Sequence, residues 1–149
     1  MVGAALALAL SGCSDGAPVA QGAETSPRTR TGLAGEGETI VRMRGCPTCH
    51  QSAEPGAGLL SGQTTPLAGT MAYPANLTAD AETGIGGLRD DQIETAITSS
   101  RDERYGSLCT MPKFALTIGE LQAVVAYLRS LPPVHRAIPR SACAEKPEE

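Results

Sequence analysis

Ile40-Val41-Arg42-Met43-Arg44-Gly45 runs directly into Cys46-Pro47-Thr48-Cys49-His50. The last five residues read C-x-x-C-H, the pattern by which haem is attached covalently through two cysteines. Two thiols separated by two residues reach both vinyl groups on one edge of a porphyrin, and the next residue turns its imidazole to the iron. Two other readings compete. A thioredoxin-like redox pair opens a helix after a β-strand, and no βαβ pattern surrounds this pair. A zinc half-site needs a second close pair of ligands, which Cys109, Cys143 and His135 do not form.

Upstream, Ile40 and Met43 share one side of the stretch Gly37 to Gly45, with Val41 and Arg44 beside it, which predicts a short helix leading into the motif. Downstream, as far as Arg89, the chain is mostly Gly, Pro, Thr and Asn and reads as loop folded over the cofactor. A further helix is predicted from Asp90 to about Arg104, with Ile93, Ala96 and Ile97 facing inward and acidic residues in its first turn. Thr117-Ile118-Gly119-Glu120 is a capping box. Leu121, Val124, Val125, Leu128 and Leu131 follow at helical spacing until Pro132-Pro133 stops the helix. The expected class is therefore all-α.

The 149 residues carry one Phe, three Tyr and no Trp. A core of about a hundred residues this poor in large side chains is marginal by itself, and a buried porphyrin is a natural filler. The formal charge of -4 sits wholly between Gly35 and Pro133, where 7 Lys or Arg face 11 Asp or Glu. That sign disfavours nucleic acid and favours a protein partner with a basic docking patch.

Five cysteines call for an explanation of each. Cys13 ends Leu10-Ser11-Gly12-Cys13, which resembles the bacterial lipobox, whose cysteine is lipidated and becomes the mature N-terminus. The apolar run Val2 to Leu10 is too short to span a bilayer and reads as a signal's hydrophobic region, although no Lys or Arg precedes it. Acylation by two or more chains would anchor the protein stably. Residues Ser14 to Ala34 read as a flexible linker with a reach of roughly 25 Å. Cys109 and Cys143 are either two thiols or, in an oxidising compartment, a disulfide that pins the C-terminal tail beside the haem crevice.

A helix, C-x-x-C-H, loops, Met111-Pro112 and a capped terminal helix follow one another over residues 35 to 133, and this layout resembles the class I cytochrome c family. Tyr73-Pro74-Ala75-Asn76-Leu77-Thr78 through Gly84-Ile85-Gly86-Gly87, with Ala126-Tyr127-Leu128-Arg129-Ser130-Leu131-Pro132-Pro133, is similar to the haem domains of cytochrome subunits serving membrane-bound alcohol and gluconate dehydrogenases. Leu88 stands where those domains usually have an aromatic residue. They occur three to a subunit, and this chain has one C-x-x-C-H. The resemblance implies a cytochrome c fold of three to four short helices and loops wrapped around one covalent haem c.

Electron transfer is served by filling both axial positions of the iron from protein, and a Met opposite the His raises the reduction potential. Position and resemblance together point to Met111 as the partner of His50. Met71 and His135 are the other candidates. The second ring N–H of His50 needs a carbonyl acceptor, expected in the loop Pro55 to Leu60. Tyr73, Asn76, Thr78 and Arg101 are candidate propionate partners by chemistry. Leu59, Leu60, Leu77, Ile85, Phe114 and Leu128 are expected to exclude water.

These readings divide the chain into a signal at 1–12, a lipidated Cys13 and linker at 13–34, a haem domain at 35–133 and a disulfide-tied tail at 134–149. The expected function is a monomeric, lipid-anchored one-electron carrier on the periplasmic side of a bacterial cell envelope. It is not expected to be an enzyme, and its partners would be a dehydrogenase, an oxidase or another cytochrome. The alternatives are a subunit permanently docked to such an enzyme, and a five-coordinate haem peroxidase or gas sensor.

Overall fold

Thr29 has extended backbone and its hydroxyl accepts from the Gly32 amide, so it caps helix α1, Arg30–Met43. The helix starts ahead of the predicted Gly37 and takes in Arg30 to Ala34, which read as linker in the sequence. The computed structural model describes residues 29–102, 104 and 106–143. The leader, Cys13 and most of the predicted linker lie outside them. The remaining elements are α2 (Cys46–His50), α3 (Asp90–Ser99), a two-residue hairpin of β1 (Arg101–Asp102) and β2 (Gly106–Ser107), and α4 (Ile118–Ser130). The architecture is thus all-α with little strand, as expected. Among the described residues no helix is long and apolar enough to cross a membrane.

The capping box of α4 is formed as its sequence predicts. The Thr117 hydroxyl accepts from the Glu120 amide at 3.3 Å, and the Glu120 carboxylate accepts from the Thr117 amide at 2.7 Å. Helices α1 and α4 cross with almost no space between them. A Cβ at Gly37 would lie 1.9 Å from the Ala123 carbonyl oxygen and 2.8 Å from the Tyr127 Cβ. Only glycine permits this approach, which explains a glycine inside a helix despite its low propensity. Val41, Val124 and Leu128 from the crossing join Ile93 and Ile97 of α3 in the core.

Helix α3 stops at Ser99, short of the predicted Arg104. Thr98 and Ser99 return their hydroxyls to the Glu94 and Thr95 carbonyls, and Ser100 adopts φ 53°, ending the helix before the hairpin. Arg129 of α4 fixes the entry to α3. Its guanidinium donates to the Ile85 carbonyl at 3.0 Å, to the Leu88 carbonyl, and to Asp90 at 2.9 and 3.1 Å. One α4 side chain thereby satisfies the turn that leads into α3.

Beyond Pro133 the tail folds back across the molecule. The Val134 amide donates to the Thr78 hydroxyl at 3.1 Å and its carbonyl accepts from Asn76 at 2.8 Å. The Arg136 guanidinium meets Glu54 at 2.5 Å. Cys143 is joined to Cys109 by a disulfide, with their Cα atoms 5.0 Å apart.

Candidate functional site

Gly45, at φ 73°, turns the chain out of α1 and starts the short helix α2, with Pro47 in its first turn. Positions i, i+3 and i+4 of a helix share a face, so Cys46, Cys49 and His50 come out on one side. All three line a cavity of about 400 Å³, within the roughly 300–1,000 Å³ range of cofactor pockets. The opposing walls come from the loop 72–77, the turn at Ile85 and Leu88, helices α3 and α4, the segment 107–116 and the tail at 137–141.

His50 is half-buried, and its Nδ1 lies 2.9 Å from the Ala75 carbonyl oxygen. A carbonyl can only accept, so Nδ1 carries the proton and Nε2 keeps its lone pair. The acceptor comes from the segment after the predicted Pro55 to Leu60 loop, because the 60–63 stretch instead braces the motif. The Gly62 amide donates to the His50 carbonyl at 2.9 Å, the Gln63 amide to the Pro74 carbonyl at 3.0 Å, and the Gln63 side chain to the Cys49 carbonyl. Gly62 sits at φ 81°, where an added Cβ would collide with the 74–76 backbone at 2.7 to 2.8 Å. Desolvation lowers the pKa of His50, which favours the neutral, metal-binding form. Burial pushes the Cys46 thiol up.

Met111 lies on the cavity wall, partly buried against the core, in a turn closed by the hydrogen bond its amide N–H donates to the Leu108 carbonyl at 2.8 Å. The Ser100 hydroxyl donates to its carbonyl at 2.6 Å. The other candidates are elsewhere. Met71 is 56% exposed, and the His135 side chain is 64% exposed beside Asp80 and Glu82. Neither lines the cavity.

Of the four candidate propionate partners, Tyr73 and Asn76 are on the wall and Thr78 and Arg101 are not. The Asn76 amide is already at capacity: Oδ1 accepts twice from Thr78, and Nδ2 donates to Thr83 and Val134. The Thr78 hydroxyl, fully buried, is spent on Asn76 and Val134. Arg101 faces a separate recess beside Thr95 and Gly106. Asn76 and Thr78 therefore hold the loop and tail together. Three cations that the sequence reading missed for this role, Arg44, Arg104 and Arg140, do line the cavity. No local pattern marks them, since one ends α1, one belongs to the hairpin and one to the tail.

Leu77, Ile85, Phe114 and Leu128 line the cavity as expected of apolar walls. Leu59 is 48% exposed, and Leu60, fully buried, packs in the core away from the cavity wall. Leu88, in the place of the expected aromatic residue, lies on the wall.

The residues present fit a covalent haem. Two thiols stand one helical turn apart, the adjacent imidazole offers Nε2, a thioether shares the cavity, and the walls are largely apolar. The competing readings do not fit. Cys109 and Cys143 are bonded to each other, which withdraws them from any zinc set, and α2 follows a helix where a thioredoxin-like pair follows a strand. A family model described as Cytochrome c matches residues 34–132. No protein of curated function matches the chain.

Proposed function

The chain belongs to the cytochrome c family and binds haem c through Cys46 and Cys49, and from that premise we propose that it is a lipid-anchored, one-electron carrier of a bacterial envelope. The observation that carries the electron-carrier part of this reading is the presence of His50 and Met111 on the walls of one cavity; the anchor rests on the lipobox resemblance of residues 10–13. Bound haem supplies a one-electron couple whose potential is set by its axial ligands and by burial. His50 offers Nε2 to the iron, while the Ala75 carbonyl fixes its ring and raises its basicity. Met111 is the proposed sixth ligand, and its soft thioether raises the potential. The apolar walls exclude water and so favour the less charged reduced state.

Cys13 is the proposed lipidation site, followed by a tether that lets the domain move between partners. We place the domain on the periplasmic face of a membrane. The resemblance of 73–87 and 126–133 to dehydrogenase cytochrome subunits makes a membrane dehydrogenase the electron donor in this reading, either as a transient partner or as a docked host. An anchored carrier should incorporate labelled fatty acid in cells, and the label should vanish in Cys13→Ser. The holoprotein should also show a reversible one-electron potential that falls on Met111→Ala. Absence of label would remove the anchor from the account, and a potential indifferent to Met111 would remove the ligand assignment.

A further inference from the structure

The tail 134–143 lies beyond the residues matched by the family model, yet Ala137 to Ser141 form part of the cavity wall. Its last three residues join the two sides of that cavity. On the histidine side, the Ser141 hydroxyl accepts from the Tyr73 amide at 2.8 Å and donates to the Tyr73 carbonyl at 3.3 Å. The Ala142 amide donates to the Met71 carbonyl at 3.0 Å. Tyr73 is two residues before Ala75, whose carbonyl holds the His50 ring. On the methionine side, Cys143 is bonded to Cys109, two residues before Met111.

Cys109 itself adopts φ 38°, the left-handed region that non-glycine residues enter only when their surroundings hold them there. The upstream half of the tail is independently anchored, through Val134 to Asn76 and Thr78 and through Arg136 to Glu54 and Thr83. Residues 141–143 are therefore drawn between fixed points.

We propose that Ser141 and the Cys109–Cys143 disulfide are positioning groups for Met111: the strap ties the loop carrying Met111 to the segment that orients His50 and keeps the thioether within reach of the iron. The inference rests on Met111 being the sixth ligand. Its physical basis is conformational entropy. A loop tied at one end of its ligand residue loses fewer arrangements on closing than a free loop does. Release at either end of the strap should then favour displacement of the Met by an exogenous ligand. An effect of Ser141 is the discriminating one, because Ser141 bonds Tyr73 and leaves the disulfide intact.

The test is imidazole affinity of the oxidised haem-loaded protein, measured for wild type, Ser141→Ala, Ser141→Thr, the double variant Cys109→Ser/Cys143→Ser, and Met111→Ala. Met111→Ala should bind most tightly and set the ceiling. Ser141→Ala should bind at least about fivefold more tightly than wild type, the factor that one of its two lost hydrogen bonds confers, and Ser141→Thr should return to the wild-type value. The double variant should exceed wild type by at least about tenfold. Should it fail to mature, Ser141→Ala carries the test. Hydrogen exchange supplies a second readout: in Ser141→Ala the amides of 108–111 should speed up along with those of 71–73. If Ser141→Ala binds imidazole as wild type does, or exchange quickens at 71–73 alone, the strap is not a positioning device. Equal affinity in wild type and Met111→Ala is a different failure, which removes the ligand assignment and the positioning role with it.

Discussion

The Nδ1 of His50 donates to the Ala75 carbonyl at 2.9 Å, and this bond crosses between two segments held together by a third. Gln63 is the link. Its amide donates to Pro74, the neighbour of Ala75, and its side chain donates to Cys49, the neighbour of His50. Replacing Gln63 with Leu removes the side-chain donor and should cost about 1 kcal/mol of holoprotein stability, with a change in reduction potential as the imidazole bond loosens. Chemical denaturation and potentiometric titration check both. A variant that loses stability with no change in potential would make Gln63 a purely structural residue.

At the helix crossing, Gly37→Ala places a methyl against the Ala123 backbone, which has no rotamer with which to yield. Such overpacking costs about 1–3 kcal/mol. The expected outcome is a lower denaturation midpoint. Gly35, where an added Cβ meets nothing within 4 Å, is the control, and Gly35→Ala should be neutral or mildly stabilising.

Arg129 satisfies the carbonyls of Ile85 and Leu88 and pairs with Asp90. Arg129→Met keeps the apolar stem but removes the guanidinium donor from both carbonyls, leaving Ile85 with the Leu88 amide alone. It should destabilise the holoprotein by about 1.5–3 kcal/mol, the range for hydrogen bonds to charged groups. Arg129→Lys should recover only part of this, because an ammonium lacks the planar fork. Unfolding midpoints of the three proteins decide the order.

Acid stability should depend on Glu120 and Asp80. The Thr117 backbone amide, then the Thr117 hydroxyl, lowers the Glu120 pKa, and the Thr83 backbone amide, then its hydroxyl, does the same for Asp80. A carboxylate whose folded pKa is depressed contributes stability above its unfolded pKa and loses it as pH falls through the folded value. The contribution of these two carboxylates should therefore be flat above about pH 5 and decline below about pH 4. Glu120→Gln and Asp80→Asn should each flatten the decline, which unfolding curves across that range would show. An unchanged acid slope in both variants would contradict the assignment.

What was legible in the sequence was local. The Thr117 to Glu120 box and the C-x-x-C-H spacing are short-range patterns whose physics is complete within a few residues, and α4 and the cysteine face of α2 follow from them. The start of α1 was hidden because Gly32, Gly35 and Gly37 lower its intrinsic propensity, and the helix is completed by its close packing on α4. The end of α3 was hidden by the competition of Thr98 and Ser99 for its own carbonyls. The acceptor for His50 lies 25 residues away. The tail's partners lie 34 to 84 residues away, so beyond the disulfide expected of its cysteine nothing local in the segment after the two prolines marks its bonds to Tyr73, Asn76 and Thr78.

The optical spectrum of the haem-loaded protein, oxidised and reduced, with Met111→Ala beside it, tests the central claim most directly. The account predicts a low-spin spectrum with a weak long-wavelength sulfur-to-iron charge-transfer band in the oxidised wild type, lost in Met111→Ala. A high-spin wild-type spectrum, or a sulfur band indifferent to Met111, would contradict it.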